Sequence, residues 1–191
     1  MKATILWVVG EPGAGKTTLV RKMFNGGETM LIEKPKWTVS LGEKVVVLAG
    51  HYKGETFDGA DTVPYNGVED ALEYWHQNYN SMFDLTIFDG DRFSNQGVVD
   101  FFKRIFEHSN AKPRLACLLL SGGPEIGMRR RARSQQDETW VKGRISKARN
   151  FFETFQDALE IHGSEAEMWQ QAEAFLAGAP VKRQQKQSTL F

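Results

Sequence analysis

The order of apolar runs and helix signals predicts an α/β protein: a parallel sheet with helices on both faces, a three-layer sandwich. Strand-like runs alternate with helical patterns along the chain. The runs Ala3–Val9, Leu85–Phe88 and Leu115–Leu120 are apolar throughout, as strands covered on both faces are. The 191 residues, 41% hydrophobic and 25% charged, suit one domain with a sizeable core and exclude wholesale disorder.

Ala3–Val9 reads as a buried strand bounded by Gly10, and Lys16–Phe24 as a helix stopped by Asn25-Gly26-Gly27. Met30–Ile32 and Lys44–Ala49 follow as strands. Val68, Ala71, Leu72, Trp75 and Tyr79 recur at helical spacing and predict an amphipathic helix over Val68–Tyr79. Val98–His108, Glu125–Arg133 and Thr139–Phe155 read as further helices, and Ala158–His162 as a short last strand. Ser164 and Glu167 form a capping-box pattern opening a helix to about Ala177. The reading gives one domain over residues 1–178, with a lid at about 124–150, and a flexible basic tail over 179–191.

No apolar run approaches the roughly 18 residues of a membrane helix, so no membrane partner is expected. The apolar start runs into Gly10-Glu11-Pro12-Gly13, which is no signal-cleavage site. Cys117 is the one cysteine, so no internal disulfide is possible and a cytoplasmic setting is expected.

The 24 Lys+Arg and 24 Asp+Glu cancel, yet they are segregated. From His51 to Asp91 nine acids oppose Lys53 alone, a net −8; from Arg129 to Arg149 eight bases oppose two acids, a net +6. A local field of that kind binds polyanions even on a neutral chain.

Gly10-Glu11-Pro12-Gly13-Ala14-Gly15-Lys16-Thr17 matches G-x-x-x-x-G-K-[ST] in full, between a strand and a helix. Glycines let successive backbone N–H groups turn inward onto phosphate oxygens at a helix N-terminus. Residues Gly10 through Thr17, with Thr18 following, are assigned to a nucleoside triphosphate, expected to be ATP. Lys16 supplies a charge to its outer phosphates, and the Thr17 hydroxyl is placed for Mg²⁺. A base-reading N/T-K-x-D sequence, which a switch GTPase needs, is absent.

The strand Leu85–Phe88 delivers Asp89-Gly90-Asp91-Arg92 to its C-terminal end, where open α/β sheets bind ligands. The acid–Arg pair Asp91-Arg92 resembles that of deoxynucleoside and thymidylate kinases. There the acid orients or deprotonates the attacking hydroxyl and the arginine steadies phosphates or the acid. The two-residue spacing admits either order; the assignment made is Asp89 to the metal and Asp91 to the base. The basic block is the expected lid, with Arg129, Arg133 and Arg144 as candidates to stabilise the transferring phosphoryl group.

The segment Ala49–Tyr65 lies where such kinases hold the acceptor. Tyr52 and Phe57 are able to stack on a base; Asp58 and Asp61 are able to bond a neutral polar edge, or serve as turn residues. A nucleoside-monophosphate site usually shows arginines there, and this stretch has only Lys53, which points to a hydroxyl on a neutral group.

On these residues the sequence resembles a group of bacteriophage P-loop nucleotide kinases, from Ala3 to about Phe155. The resemblance rests on the phosphate loop, on G-x-Y-x-G-x-x-F-D-G-x-D from Gly50 to Asp61, on Asp89–Arg92, and on W-V-K-G-R-x-S-K-x-x-N from Trp140 to Asn150. That group is similar to kinases that phosphorylate 5-hydroxymethyluracil within DNA. The resemblance implies an ATP- and Mg²⁺-dependent phosphotransferase whose acceptor is a base hydroxyl in DNA; the alternative is a deoxynucleoside monophosphate kinase acting on free nucleotides. Gln187, Leu190 and Phe191 close the tail in a pattern resembling sliding-clamp-binding peptides.

Overall fold

The computed structural model describes residues 3–24, 28–53, 58–121 and 137–178. Seven strands form one sheet in the order β2-β3-β4-β5-β1-β6-β7. They are β1 (Thr4–Gly10), β2 (Glu28–Ile32), β3 (Trp37–Leu41), β4 (Val45–Ala49), β5 (Leu85–Asp89), β6 (Arg114–Leu120) and β7 (Ala158–Ile161). β4, β5, β1, β6 and β7 run parallel, whereas β3 is antiparallel to both its neighbours. The sheet is therefore mostly parallel, with a β2–β3 hairpin added outside β4.

Alternation along the strands divides the core between the two faces. Ile5, Trp7, Val9, Val47, Phe88 and Cys117 point one way, into a cluster with Trp75 of α2 (Val68–Tyr79), Phe102 of α3 (Gln96–Ile105) and Phe151 of α4 (Glu138–Glu153). Leu6, Val8, Leu48, Ile87 and Leu118 point the other way. They meet Leu19 and Val20 of α1 (Lys16–Met23) and Met168, Ala172 and Phe175 of α5 (Glu165–Leu176). This is the three-layer α/β arrangement that the apolar strand runs predict.

The first face is aromatic. Trp7 packs on Phe88 and Phe155 with centroids 5.5 and 5.2 Å apart, and its indole N–H donates to the Phe93 carbonyl at 3.1 Å. Trp75 donates likewise to Thr86 Oγ1 at 2.9 Å, so these two buried indoles are satisfied, whereas that of Trp37 has no partner among the described residues.

β3 is absent from the sequence reading, which leaves residues 33–43 as a connection. Trp37, Thr38, Val39 and Ser40 are buried because the hairpin folds over β4, a pairing set by partners distant in sequence. α3 starts earlier than the apolar pattern suggests, since Asn95 caps it by accepting from the Val98 amide at 3.1 Å. Asp137 caps α4 in the same way, from the Trp140 amide at 3.3 Å. The capping box of α5 is present, Ser164 N–H donating to Glu167 Oε2 at 2.7 Å. The predicted helix Glu125–Arg133 and the tail 179–191 lie outside the described residues.

Candidate active site

β1 and β5 are neighbours, and their register places Val8 opposite Asp89, with the Gly90 amide donating to the Val8 carbonyl at 2.9 Å. The loop leaving β1 and the acid ending β5 thus emerge side by side at the carboxyl edge of the sheet. The loop closes on itself through Ala14 N–H to Glu11 C=O at 3.1 Å. Gly13 and Gly15 turn it with φ of 86° and 87°, and α1 begins at Lys16. Lys16 Nζ folds over this cradle, donating to the carbonyls of Gly10 at 3.1 Å and Glu11 at 2.8 Å.

Thr17, one residue on, donates its hydroxyl to Asp89 Oδ2 at 3.1 Å. The other oxygen of Asp89 accepts from the Ala60 amide at 2.9 Å. Asp89 is buried, and that burial raises its carboxyl above the ordinary carboxylate range against the lowering effect of the Ala60 N–H. A buried carboxylate beside a threonine hydroxyl is an all-oxygen donor pair that suits a hard divalent cation, and binding one offsets the desolvation. Among the described residues no group of three or more His, Cys, Asp or Glu is arranged for a metal.

The segment expected to hold the acceptor, Ala49–Tyr65, approaches the same acid. Gly59 has φ 78°, and a Cβ there would lie 2.5 Å from Asp89 Oδ1, so only glycine lets this backbone touch the carboxylate. Gly59 N–H donates to the His51 carbonyl at 2.7 Å, and the His51 amide donates to Thr62 Oγ1 at 2.9 Å, fastening the segment's two ends. Tyr52 is buried against Phe24, 5.4 Å between centroids, and is not exposed for stacking. Burial, and then the neighbouring Asp89 carboxylate, hold its hydroxyl well above the usual phenol range. Asp58 is buried too: it accepts from the Lys53 amide at 3.2 Å and forms an ion pair with Arg21 of α1. Asp61 is exposed beside Arg92, its Oδ1 4.0 Å from the guanidinium.

Asp91 stands two residues beyond Asp89, on the far side of the turn. It makes an ion pair with Arg144 of α4, and Lys147 Nζ lies 3.8 Å from the same oxygen. Arg92 turns back over Tyr65 with Cζ 3.6 Å from the ring centroid and donates to the Asp61 carbonyl at 3.4 Å. Asp89 and Thr17 are thus together, as are Asp91 and Arg144. Phe57, Arg129, Arg133, Gln187, Leu190 and Phe191 lie outside the described residues.

Sequence reasoning missed the parts played by Arg21, Gly59 and the Ala60 amide. Asp58-Gly59 was legible as a turn, but its contact with Asp89 is between residues 30 apart along the chain, for which a single sequence carries no local signal.

A phosphate loop at the end of the central parallel strand, an acid on the next strand and a basic helix facing it define a P-loop phosphotransferase. The profile of the family described as P-loop Nucleotide Kinase3 matches residues 1–172, and the chain belongs to that family: it is a kinase and binds nucleotide. Among solved structures the fold is similar to that of an unliganded sugar kinase from Janibacter sp. HTCC2649. The TM-score is 0.51 at 14% identity, covering 93% of this chain and 96% of that one. No curated protein matches the sequence.

Proposed function

We propose that this kinase transfers the γ-phosphoryl group of ATP, with Mg²⁺, to a hydroxyl on a neutral group, best the 5-hydroxymethyl group of hydroxymethyluracil in DNA. The observation that carries this reading is the pairing of cations around the acceptor segment. Arg21 is matched by Asp58, Lys53 by Glu33 at 3.7 Å, and Arg92 by Asp61. Among the described residues these three cations are each paired with an acid, so an acceptor phosphate finds none of them unmatched, whereas a hydroxyl needs none.

In this reading the backbone of residues 10–18, through its N–H groups other than at Pro12, and Lys16 hold the triphosphate. Thr17 and Asp89 offer the oxygens for Mg²⁺, which when bound neutralises charge on the β- and γ-phosphates. Asp91 orients the acceptor hydroxyl and takes its proton as the new O–P bond forms and the bond from the γ-phosphorus to the β–γ bridging oxygen breaks, releasing ADP. Arg144 and Lys147 face Asp91 from α4 and supply positive charge to the transferring group. The kinase domain spans residues 1–178, and the basic tail tethers it near DNA, with Gln187, Leu190 and Phe191 engaging a sliding clamp in the host cytoplasm.

The second reading, a deoxynucleoside monophosphate kinase, is favoured by the family's description as nucleotide kinases. The protein is incubated with ATP labelled at the γ-phosphate and either hydroxymethyluracil-containing DNA or free deoxynucleoside monophosphates. Label in the DNA is the expected result; label only in the free nucleotides overturns the proposal in favour of the second reading.

A further inference from the structure

Among the described residues two aromatic rings stand well exposed, Tyr65 at 71% and Trp140 at 42%. They come from different elements, the turn before α2 and the first turn of α4, yet each is backed by an arginine that leads to Asp91. Arg92 lies 3.6 Å over the Tyr65 ring and is joined to Asp91 by one peptide bond. Arg144 lies 4.9 Å over the Trp140 ring and is ion-paired with Asp91. The other exposed large apolar side chains are Met30, Leu31 and Leu41 on the β2–β3 hairpin and Met82 after α2; none is aromatic.

We infer that Tyr65 and Trp140 form a stacking clamp for one nucleobase at the mouth of the acceptor site, an assignment that rests on Asp91 being the acid facing the acceptor. Each guanidinium covers part of one ring face and leaves the rest of a rigid ring exposed. Arg92 is held in place, its side chain only 11% exposed and bonded to Asp61, so the Tyr65 platform exists before a ligand arrives. Every base has a π-face, so such a clamp grips a base without reading it, while Asp61 and Asp91 are left to meet its polar edge. Tyr52, by contrast, is buried and carries no stacking surface. The same chemistry is offered by a free nucleotide and by a base splayed from a single strand, and the arms of the test separate them.

The test uses the full chain and its Tyr65→Ala, Tyr65→Phe, Trp140→Ala and Trp140→Phe variants. Binding is measured for deoxythymidine monophosphate, a short single-stranded oligothymidylate and an abasic strand of equal length. Truncation of either ring is expected to weaken the base-bearing probes about ten- to hundredfold. Each Phe variant stays within a few-fold of the unaltered chain, and the abasic strand is indifferent to all four. Both rings are exposed, so the Ala variants are expected to fold, which thermal melting checks. A variant that does not fold is replaced by Leu, which fills the volume without an aromatic face and is expected to lose the same binding.

Ala variants that bind both base-bearing probes as the unaltered chain does overturn the clamp; so does an abasic strand bound as tightly as the thymidylate. Loss of monophosphate binding alone identifies a free nucleotide as the occupant, and loss on the strand identifies a polymer. Label transfer decides separately: base binding that depends on both rings, with no label entering hydroxymethyluracil DNA, keeps the clamp and overturns the proposed acceptor.

Discussion

Asp89 and Asp91 are two residues apart and live in opposite surroundings. Asp89 is buried, and burial holds its carboxyl above the usual range; Asp91 is half-buried among cations from α4. An acid whose folded pKa is raised binds more protons in the native state than unfolded, so its contribution to stability falls as pH rises from the ordinary Asp range through the folded value. Asp89→Asn keeps an acceptor for the Ala60 amide, turns the other oxygen into an NH₂ that donates to the Thr17 hydroxyl, and removes that cost. The nucleotide-free protein is therefore expected to melt at a higher temperature at pH 7, while added Mg²⁺-nucleotide stabilises the variant less than it does the unaltered chain. Calorimetry with and without Mg²⁺-nucleotide checks both signs; a lowered melting temperature without ligand contradicts the assignment. Asp91→Asn is expected to bind nucleotide with unchanged affinity and to lose transfer by about 10²- to 10⁴-fold, the usual worth of a positioned general base. Single-turnover kinetics beside a nucleotide-binding isotherm separate the two effects.

At the scale of elements, α4 is one helix with two duties. Ala148 and Phe151 sit in the core, and Arg149 grips Glu160 of β7 with both guanidinium nitrogens, at 2.7 and 3.2 Å. Arg144 and Lys147 reach Asp91 from the other side, and Trp140 lies against Arg144. Gly143 lies between Trp140 and Arg144, and a Cβ there would meet nothing within 4 Å. Gly143→Ala is expected to stabilise the protein by about 0.5–1 kcal/mol, the difference in helix propensity, read as a shifted urea midpoint with an unchanged slope. No gain would mean that the backbone at this position is not plainly helical in solution.

The elements also show what was legible before folding. The phosphate loop was readable because its function is local: glycines at fixed spacing turn the backbone, and Lys16 and Thr17 follow at once. The capping box of α5 was readable for the same reason. β3 was not, since Trp37–Leu41 carries a strand signal only once β2 and β4 are alongside it. Asp58 looked like a residue for a ligand because its partner, Arg21, lies 37 positions earlier in the chain.

For the whole molecule the zero net charge conceals the distribution that matters. Asp58 and Asp91 are spent on internal ion pairs, and Lys142, Arg144 and Lys147 line one helix. If those three meet a single strand, log Kd for an oligonucleotide rises with log salt with a slope of about 2, near 0.7 per phosphate contact. Lys147→Ala is expected to lower it by about 0.7. Fluorescence anisotropy across a salt series measures this, and a slope near zero would show that the strand is not held by its phosphates.

The contact of Gly59 with Asp89 bears on how this enzyme can be recombined. Backbone touches carboxylate with no side chain between them, so a loop transplanted here from a relative has no slack in which to settle. The unit of exchange is accordingly Gly50–Asp61 together with the end of β5. A chimera that joins the loop of one parent to the strand of another will fail at this junction before its new substrate is ever tested.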